Sequence, residues 1–263
     1  MTEPIVVIER HGAVALIRLN RPAARNAMNA ALAGATVDAI ESSQDAGAIV
    51  VTGTDPAFCA GLDLRDLGVA KLMDLTHFTA AVAASTVPVI AAVNGPAVTG
   101  GFELALACDF MIASERARFA DTHLRVGVFP GPVLVDLPRR VGPAWARQMS
   151  LTSNFVDADT ALRIGLVNVV VAHDDLLPYS LDLAAAITEQ PREMVVAMRE
   201  DWDLTDRLPV VDAHVAHGEF STSRGFRDST ASELASHRQD VIARAHRQLD
   251  EPNAVRPSTT PGG

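Results

Sequence analysis

The segment that most constrains the fold of this chain is residues 94–109, NGPAVTGGFELALACD, which follow a buried apolar run. Gly100 and Gly101 open a helix there, where N–H groups lack intrahelical partners and the helix dipole favours negative charge. Glu103 shares a helical face with Gly100. The pattern predicts a donor for a developing oxyanion beside a carboxylate that moves a proton, which suits chemistry next to a carbonyl. The alternative explanation of the glycines is close helix packing without a ligand.

Strand and helix patterns alternate through the first part of the chain. The short apolar runs at residues 48–52 and 87–93 are typical of strands buried on both faces, and helical stretches at about 29–42 and 72–84 lie between them. This alternation predicts an α/β fold with several parallel strands. From residue 157 the pattern changes: one more strand is predicted at residues 166–171, and almost wholly helical stretches follow it, which predicts a subdomain that packs on a neighbouring copy.

Composition excludes several classes of protein. A net charge of −10 argues against a nucleic-acid surface, because phosphate binding needs clustered positive charge. No apolar run approaches the roughly 20 residues that span a bilayer, and the N-terminus shows no basic leader followed by an apolar stretch. The two cysteines, Cys59 and Cys108, form no disulfide framework and suit a reduced compartment. We therefore expect a cytoplasmic protein that binds neither nucleic acid nor membrane.

Several sequence motifs occur in order along nearly the whole chain. Together they resemble the motifs of the crotonase, or enoyl-CoA hydratase/isomerase, superfamily. The segments that carry this resemblance are LNRPAARNAMN (19–29), AFCAGLDL (57–64), PVIAAVNG (88–95), VGPA (141–144), LT (151–152) and ALRIGLVNVV (161–170).

The resemblance implies a domain organisation. It implies a crotonase-like ββα spiral core with the acyl-CoA site over residues 1–200, and a helical C-terminal region over 201–250 that mediates trimerisation. The expected assembly is a homotrimer or a dimer of trimers. Residues 251–263 are rich in Pro, Gly, Ser and Thr, which predicts a disordered tail. Coenzyme A is expected as part of the substrate, with no separate cofactor and no metal.

The resemblance also assigns candidate site residues. It implies that the backbone N–H groups of Leu62 and Gly100 form the oxyanion hole and that Glu103 is catalytic. Since the amide of Leu62 is used, its side chain can differ from the alanine that relatives often carry, although it would narrow the acyl pocket. The residues expected to border coenzyme A are Ala23, Ala24, Arg25, Ala60, Asp63, Leu64 and Arg65.

Glu103 is an acidic residue in an otherwise apolar helical segment. Burying a carboxylate without a partner is costly, so such a residue is either paired or functional. A structural ion pair or a charge placed at a helix N-terminus is the alternative to catalysis.

The chain departs from the family pattern at the second catalytic glutamate, which is replaced by His123. The flanking residues Phe119, Gly127, Pro130 and Gly131 match the family. A histidine can hold a water and exchange a proton near neutral pH, but alone it does not reproduce two carboxylates that share one proton. The alternative is that His123 only lines a cavity that no longer performs hydration.

Three functions remain open from the sequence. The leading hypothesis is an enoyl-CoA hydratase-like lyase in which Glu103 activates water and His123 assists proton delivery. The second is an isomerase, or another crotonase-type reaction such as decarboxylation or hydrolysis, that uses Glu103 alone. The third is a non-catalytic acyl-CoA-binding protein. Nothing in the sequence fixes the length or type of the acyl chain.

Overall fold

The structure is a computed structural model that describes residues 3–63, 65, 77–206, 208–226, 238 and 241–246. The chain divides into two compact units, Met1–Val195 and Val196–Gly263. Within the described residues, no helix combines the length and the apolar character needed to cross a bilayer. The oligomerisation role of residues 201–250 stays a prediction, and the predicted tail 251–263 lies outside the described residues.

Strands and helices follow one another along the chain as the α/β pattern predicts. The strands are β1 (Val6–His11), β2 (Val14–Leu19), β3 (Ala48–Gly53), β4 (Val89–Val93), β5 (Pro96–Val98), β6 (Phe110–Ser114), β7 (Arg118–Ala120), β8 (Val156–Asp157) and β9 (Val169–Val171). The α-helices are α1 (Ala30–Glu41), α2 (His77–Ala83), α3 (Gly100–Ala107), α4 (Val133–Thr152), α5 (Ala158–Arg163), α6 (Leu176–Thr188), α7 (Arg192–Thr205) and α8 (Val210–Ser223).

Two sheets organise the first unit. The larger has the strand order β1-β2-β3-β4-β6-β9, in which only the β1–β2 pair is antiparallel. The smaller has the order β5-β7-β8, with β5 parallel to β7 and β8 antiparallel to it. Because β4 belongs to the first sheet and β5 to the second, the chain crosses from one sheet to the other just before α3.

The central strands are buried on both faces, which explains why their sequences do not alternate between apolar and polar residues. Ile49 and Val51 of β3 point into the larger apolar cluster, which also contains residues of α1, α2 and α3. Val50 points to the opposite face, where it joins Leu176 and Ala184 of α6. Helices on both faces therefore remove the sheet from water.

Local signals fix where two of the helices begin or bend. The side chain of Asn29 accepts a hydrogen bond of 2.9 Å from the N–H of Leu32, so it caps α1. Helix α4 is kinked at Gly142, which has φ 78° and ψ 161°, immediately before Pro143. The kink divides α4 into two segments, and the first of these begins beside Glu103.

Candidate active site

The loop that contains residues 57–62 packs directly on the start of α3. The N–H of Cys59 donates to the carbonyl of Pro96 at 3.1 Å, and the N–H of Val98 donates to the carbonyl of Cys59 at 3.0 Å. A Cβ added at Gly101 would lie 2.3 Å from the carbonyl oxygen of Cys59. Gly101 is therefore required for close packing, which was the alternative explanation of the two glycines.

The way its loop pairs turns the amide of Leu62 away from Met28. The N–H of Met28 donates to the carbonyl of Gly61 at 2.7 Å, and the N–H of Asp63 donates to the carbonyl of Met28 at 2.8 Å. In a parallel bridge of this kind, Leu62 lies between the two residues that bond to Met28, and its own N–H points away from Met28. Among the described residues, none accepts a hydrogen bond from the Leu62 amide. Within that part of the chain, this N–H is open to a ligand.

The amide of Gly100 begins α3, and among the described residues none accepts a hydrogen bond from it. Thr99 precedes it with φ 50° and ψ −114° and gives no side-chain cap. The N–H of Thr99 donates to the carbonyl of Ala120 at 2.9 Å, and the hydroxyls of Thr99 and Thr122 are 2.6 Å apart. These contacts hold Thr99 in a backbone conformation that is rare for a residue with a Cβ.

The two predicted oxyanion donors lie on adjoining segments. A Cβ added at Gly100 would be 3.4 Å from Cδ2 of Leu62, an ordinary van der Waals distance. Backbone strain of the kind seen at Thr99 tends to be found at functional sites. The structure therefore brings Leu62 and Gly100 together. Their role as an oxyanion hole stays a prediction.

Glu103 is buried, with 2% of its surface exposed. Its Oε1 accepts a 3.3 Å hydrogen bond from the N–H of Val133, the first residue of α4. Burial raises the pKa of this carboxyl, while the neighbouring His123 and the N–H of Val133 oppose the rise. Among the described residues Glu103 forms no ion pair, so the structural ion-pair alternative has no support here. A buried carboxyl with a perturbed pKa is a candidate for acid–base chemistry.

His123 forms a buried pair with Asp121, a residue that the sequence analysis missed. The two residues are 4% and 1% exposed, and Nδ1 of His123 lies 2.6 Å from Oδ1 of Asp121. The backbone N–H of His123 also donates to that oxygen, at 3.3 Å. Burial raises the pKa of Asp121, but the hydrogen bonds from the ring and the backbone N–H of His123 oppose this effect, and the net pKa is lowered. Asp121 is therefore ionised.

A cavity of about 110 Å³ connects the loop that contains residues 57–62 with His123. It lies beside the cap residue of α3 and beside the 3₁₀ turn His123–Val126. The residues that line it are Ala60, Leu62, Thr99, Thr122, His123, Val126 and Val128. The cavity thus joins two of the elements predicted separately from the sequence, the 57–64 loop and the position of the second acid.

Two segments predicted to border coenzyme A also meet. Residues 22–24 form a 3₁₀ turn that ends at Arg25, and the N–H of Ala60 donates to the carbonyl of Arg25 at 3.0 Å. This bond joins the turn that contains Ala23 and Ala24 to the loop that contains residues 57–62. Contact of these residues with coenzyme A stays a prediction.

Asp63 and Arg65, also predicted to border coenzyme A, bind each other. Nε of Arg65 lies 3.0 Å from Oδ1 of Asp63, and Arg21 also contacts this carboxylate, at 3.2 Å. Hydrogen bonds from Arg65 lower the pKa of Asp63 to about 2. The Arg65 side chain is 75% exposed. Leu64 lies outside the described residues.

No metal centre is seen in the part of the chain that the structure describes, since it holds no group of three or more His, Cys, Asp or Glu residues positioned around one point. His217 of α8 has Nδ1 2.6 Å from Oδ2 of Asp201, so its ring is held by a carboxylate.

Comparison with known proteins identifies the family. A family model described as enoyl-CoA hydratase/isomerase matches residues 9–217. The chain belongs to this family. It is similar to a probable enoyl-CoA hydratase of Rhizobium meliloti, with 42% identity over 196 residues that cover 71% of this chain and 76% of the relative. It is also similar to a crotonyl-CoA hydratase of Syntrophomonas wolfei, with 38% identity over 194 residues that cover 69% and 75% of the two chains.

Solved structures of the family share the fold. A crystal structure of an enoyl-CoA hydratase from Mycobacterium smegmatis matches with a TM-score of 0.82 and 30% identity, and the match covers 90% of this chain and 97% of the other. The resemblance to the crotonase superfamily that the motifs predicted is therefore confirmed, and so is the α/β crotonase-like fold with C-terminal helices.

Proposed function

We propose that this protein is an enoyl-CoA hydratase-like lyase that adds water across the 2,3 double bond of an acyl-CoA. Family membership and the hydratase names of its relatives support this class of reaction. The observation that supports the proposal is the placement of Glu103, a buried acid with a raised pKa, on the helix whose first residue, Gly100, adjoins Leu62. These are the groups that an enolate of a thioester requires.

The reaction begins with attack of a water oxygen on C3. Glu103 accepts a proton of that water as the new C–O bond forms. The electron pair of the double bond moves toward the thioester oxygen, where the N–H groups of Leu62 and Gly100 donate hydrogen bonds to the developing charge. His123, in its protonated form, then delivers a proton to C2 as the enolate collapses. One water has been added, and the proton gained by Glu103 returns to His123 before the next turnover.

The test is hydration of crotonyl-CoA by the purified protein, followed through loss of the enoyl-thioester absorbance. Glu103→Gln should lower kcat by about 10²- to 10⁴-fold, the usual contribution of an acid–base group. Glu41→Gln is the matched control, because Glu41 is exposed at the end of α1. Equal rates for wild type and Glu103→Gln would refute the assignment of Glu103.

Isomerisation is the second candidate, because His123 stands where the family has its second glutamate. An isomerase moves one proton and needs only one carboxylate. Conversion of a 3-enoyl-CoA into its 2-enoyl isomer, without uptake of water from crotonyl-CoA, would favour this function. Binding of an acyl-CoA with neither reaction would favour the non-catalytic alternative.

A further inference from the structure

We propose that Asp121 and His123 act together as one acid that replaces the second glutamate, with Asp121 as the positioning residue and Nε2 of His123 as the atom that exchanges the proton. This inference rests on the proposed function and names the group that completes its proton transfer. Histidine alone does not reproduce a site in which two carboxylates share one proton. A histidine that is hydrogen-bonded to a buried carboxylate can reproduce the charge and the single mobile proton of that site.

The argument starts from charge. Two glutamates that share one proton carry a net charge of −1. In the site described here, ionised Asp121 paired with protonated His123 is neutral, as a protonated glutamate is. When His123 gives up its proton, the pair carries −1, as an ionised glutamate does. Together with Glu103, the set therefore holds one mobile proton and the same net charge as the two-carboxylate site.

The geometry fixes which ring nitrogen takes part. Oδ1 of Asp121 is 2.6 Å from Nδ1 of His123, and an ionised carboxylate only accepts hydrogen bonds, so Nδ1 must donate. Nε2 is then the nitrogen that gains and loses the proton. Among the described residues, none forms a hydrogen bond with Nε2, and His123 lines the cavity that Leu62 also lines.

Burial makes the pairing necessary. A histidine that is 4% exposed cannot rely on water to stabilise its charged form, and an imidazolium without a carboxylate would be costly at this depth. Asp121, itself 1% exposed, supplies that stabilisation. Its second contact, with the backbone N–H of His123 at 3.3 Å, holds the carboxylate against rotation away from the ring.

The first experiment compares four proteins in crotonyl-CoA hydration: wild type, Asp121→Asn, His123→Glu and the double variant. Asp121→Asn should lower kcat by at least about 100-fold, with little change in KM. His123→Glu adds a carboxylate beside Asp121 and should also be slow. The double variant should recover at least about tenfold over His123→Glu, because an amide can then bond to the new glutamate. Asp159→Asn, at an exposed position on α5, is the control.

The outcome for the double variant separates positioning from simple structural support. If Asp121 only held the fold together, Asp121→Asn would cost as much in the His123→Glu protein as it costs in wild type, and such a result would overturn the proposal. Melting temperatures of all four proteins check that the folded state is retained.

A second measurement does not depend on activity. ¹⁵N NMR of the ring nitrogens, with His123 identified by the signal lost in His123→Gln, reports which nitrogen carries the proton. The neutral ring of the wild type should carry its proton on Nδ1, and Asp121→Asn should lose that preference. A neutral ring that carries its proton on Nε2 would overturn the proposal even in an active enzyme. A protein that shows the expected tautomer and does not hydrate crotonyl-CoA would instead refute the hydratase function.

Discussion

Gly100 offers a way to remove one backbone donor without touching any side chain. Gly100→Pro deletes the N–H at the first position of α3, where proline is compatible with a helix. We expect kcat for crotonyl-CoA to fall by about 10²- to 10³-fold, as when one oxyanion donor is lost elsewhere. Gly100→Ala keeps the N–H, and its Cβ would lie 3.4 Å from Leu62, so it should stay within about tenfold of wild type. Equal losses in the two variants would contradict an oxyanion role for this amide.

Glu103 should make the fold less stable as the pH rises. Its pKa in the folded protein is raised above the ordinary value of 4.5, so the folded state binds the proton more tightly than the unfolded chain does. The resulting stabilisation is complete below that ordinary value and is lost as the pH rises through the raised pKa. Glu103→Gln carries no charge at any pH and should escape this loss.

Calorimetry of the two proteins from about pH 4 to about pH 8 measures this difference. The melting temperature of Glu103→Gln should match that of wild type at the acidic end and exceed it at neutral pH, even though the variant is expected to be the slower enzyme. A wild-type protein that gains stability relative to Glu103→Gln as the pH rises would show that the carboxylate is well solvated or paired.

At the scale of secondary-structure elements, the packing of α3 on the loop that contains residues 57–62 depends on Gly101. A Cβ there would lie 2.3 Å from the carbonyl oxygen of Cys59, so Gly101→Ala must move the helix or the loop. We expect a lower melting temperature than for Gly100→Ala, by several degrees, together with a larger loss of kcat. Thermal unfolding and crotonyl-CoA kinetics of the two alanine variants check this comparison. Identical behaviour would mean that the interface relaxes freely.

The elements with strong local signals were predictable from the sequence. The strand at residues 14–19 is predictable because its apolar, β-branched run is flanked by a turn. Helix α1 is predicted within a residue at each end, since Asn29 is a good N-cap. The start of α3 is predictable because the glycines stand out in an apolar segment.

Other elements depend on tertiary contacts and were missed. Helix α4 contains Pro138 and Pro143 and a left-handed Gly142, which interrupt the helical pattern. Strands β5, β7 and β8 are only two or three residues long, so pairing alone defines them. The predicted strand at 166–171 begins only at Val169, because the residues before it form a turn after α5.

The candidate site divides along the same line. Glu103 and Gly100 were predictable because an acidic residue and a glycine pair stand close together in one apolar helical segment. The pairing of Asp121 with His123 was not, because it depends on a 3₁₀ turn that folds the ring back onto a carboxylate two positions earlier. The sequence signal for this pair was Asp121, which lies two positions before the histidine that replaces the second glutamate.

At the scale of the whole molecule, α7 and α8 carry apolar side chains that face solvent in a single chain. Large exposed apolar surfaces mark interaction sites. The exposed residues on these two helices are Met194, Met198, Trp202, Leu204, Val210, Val211 and Val215. This surface supports the expectation that the C-terminal helices meet other copies in a trimer or a dimer of trimers.

Val211→Asp tests that expectation. Val211 is 75% exposed, so a charge there should cost the isolated chain little and should weaken an assembly that buries it. Light scattering after size exclusion should show three or six copies for wild type and smaller species for the variant. Gln190→Glu adds the same charge at a polar exposed position and should leave the mass unchanged. A monomeric wild type would refute the predicted assembly.

The hydroxyl contact between Thr99 and Thr122 has a consequence for redesign of this protein. Thr99 directly precedes the amide at the start of α3, and Thr122 directly precedes His123, so a single hydrogen bond joins the two halves of the candidate site. Both also line the cavity. Directed evolution toward bulkier acyl groups that varies either threonine alone would disturb both halves at once, so mutant libraries should randomise the two codons jointly.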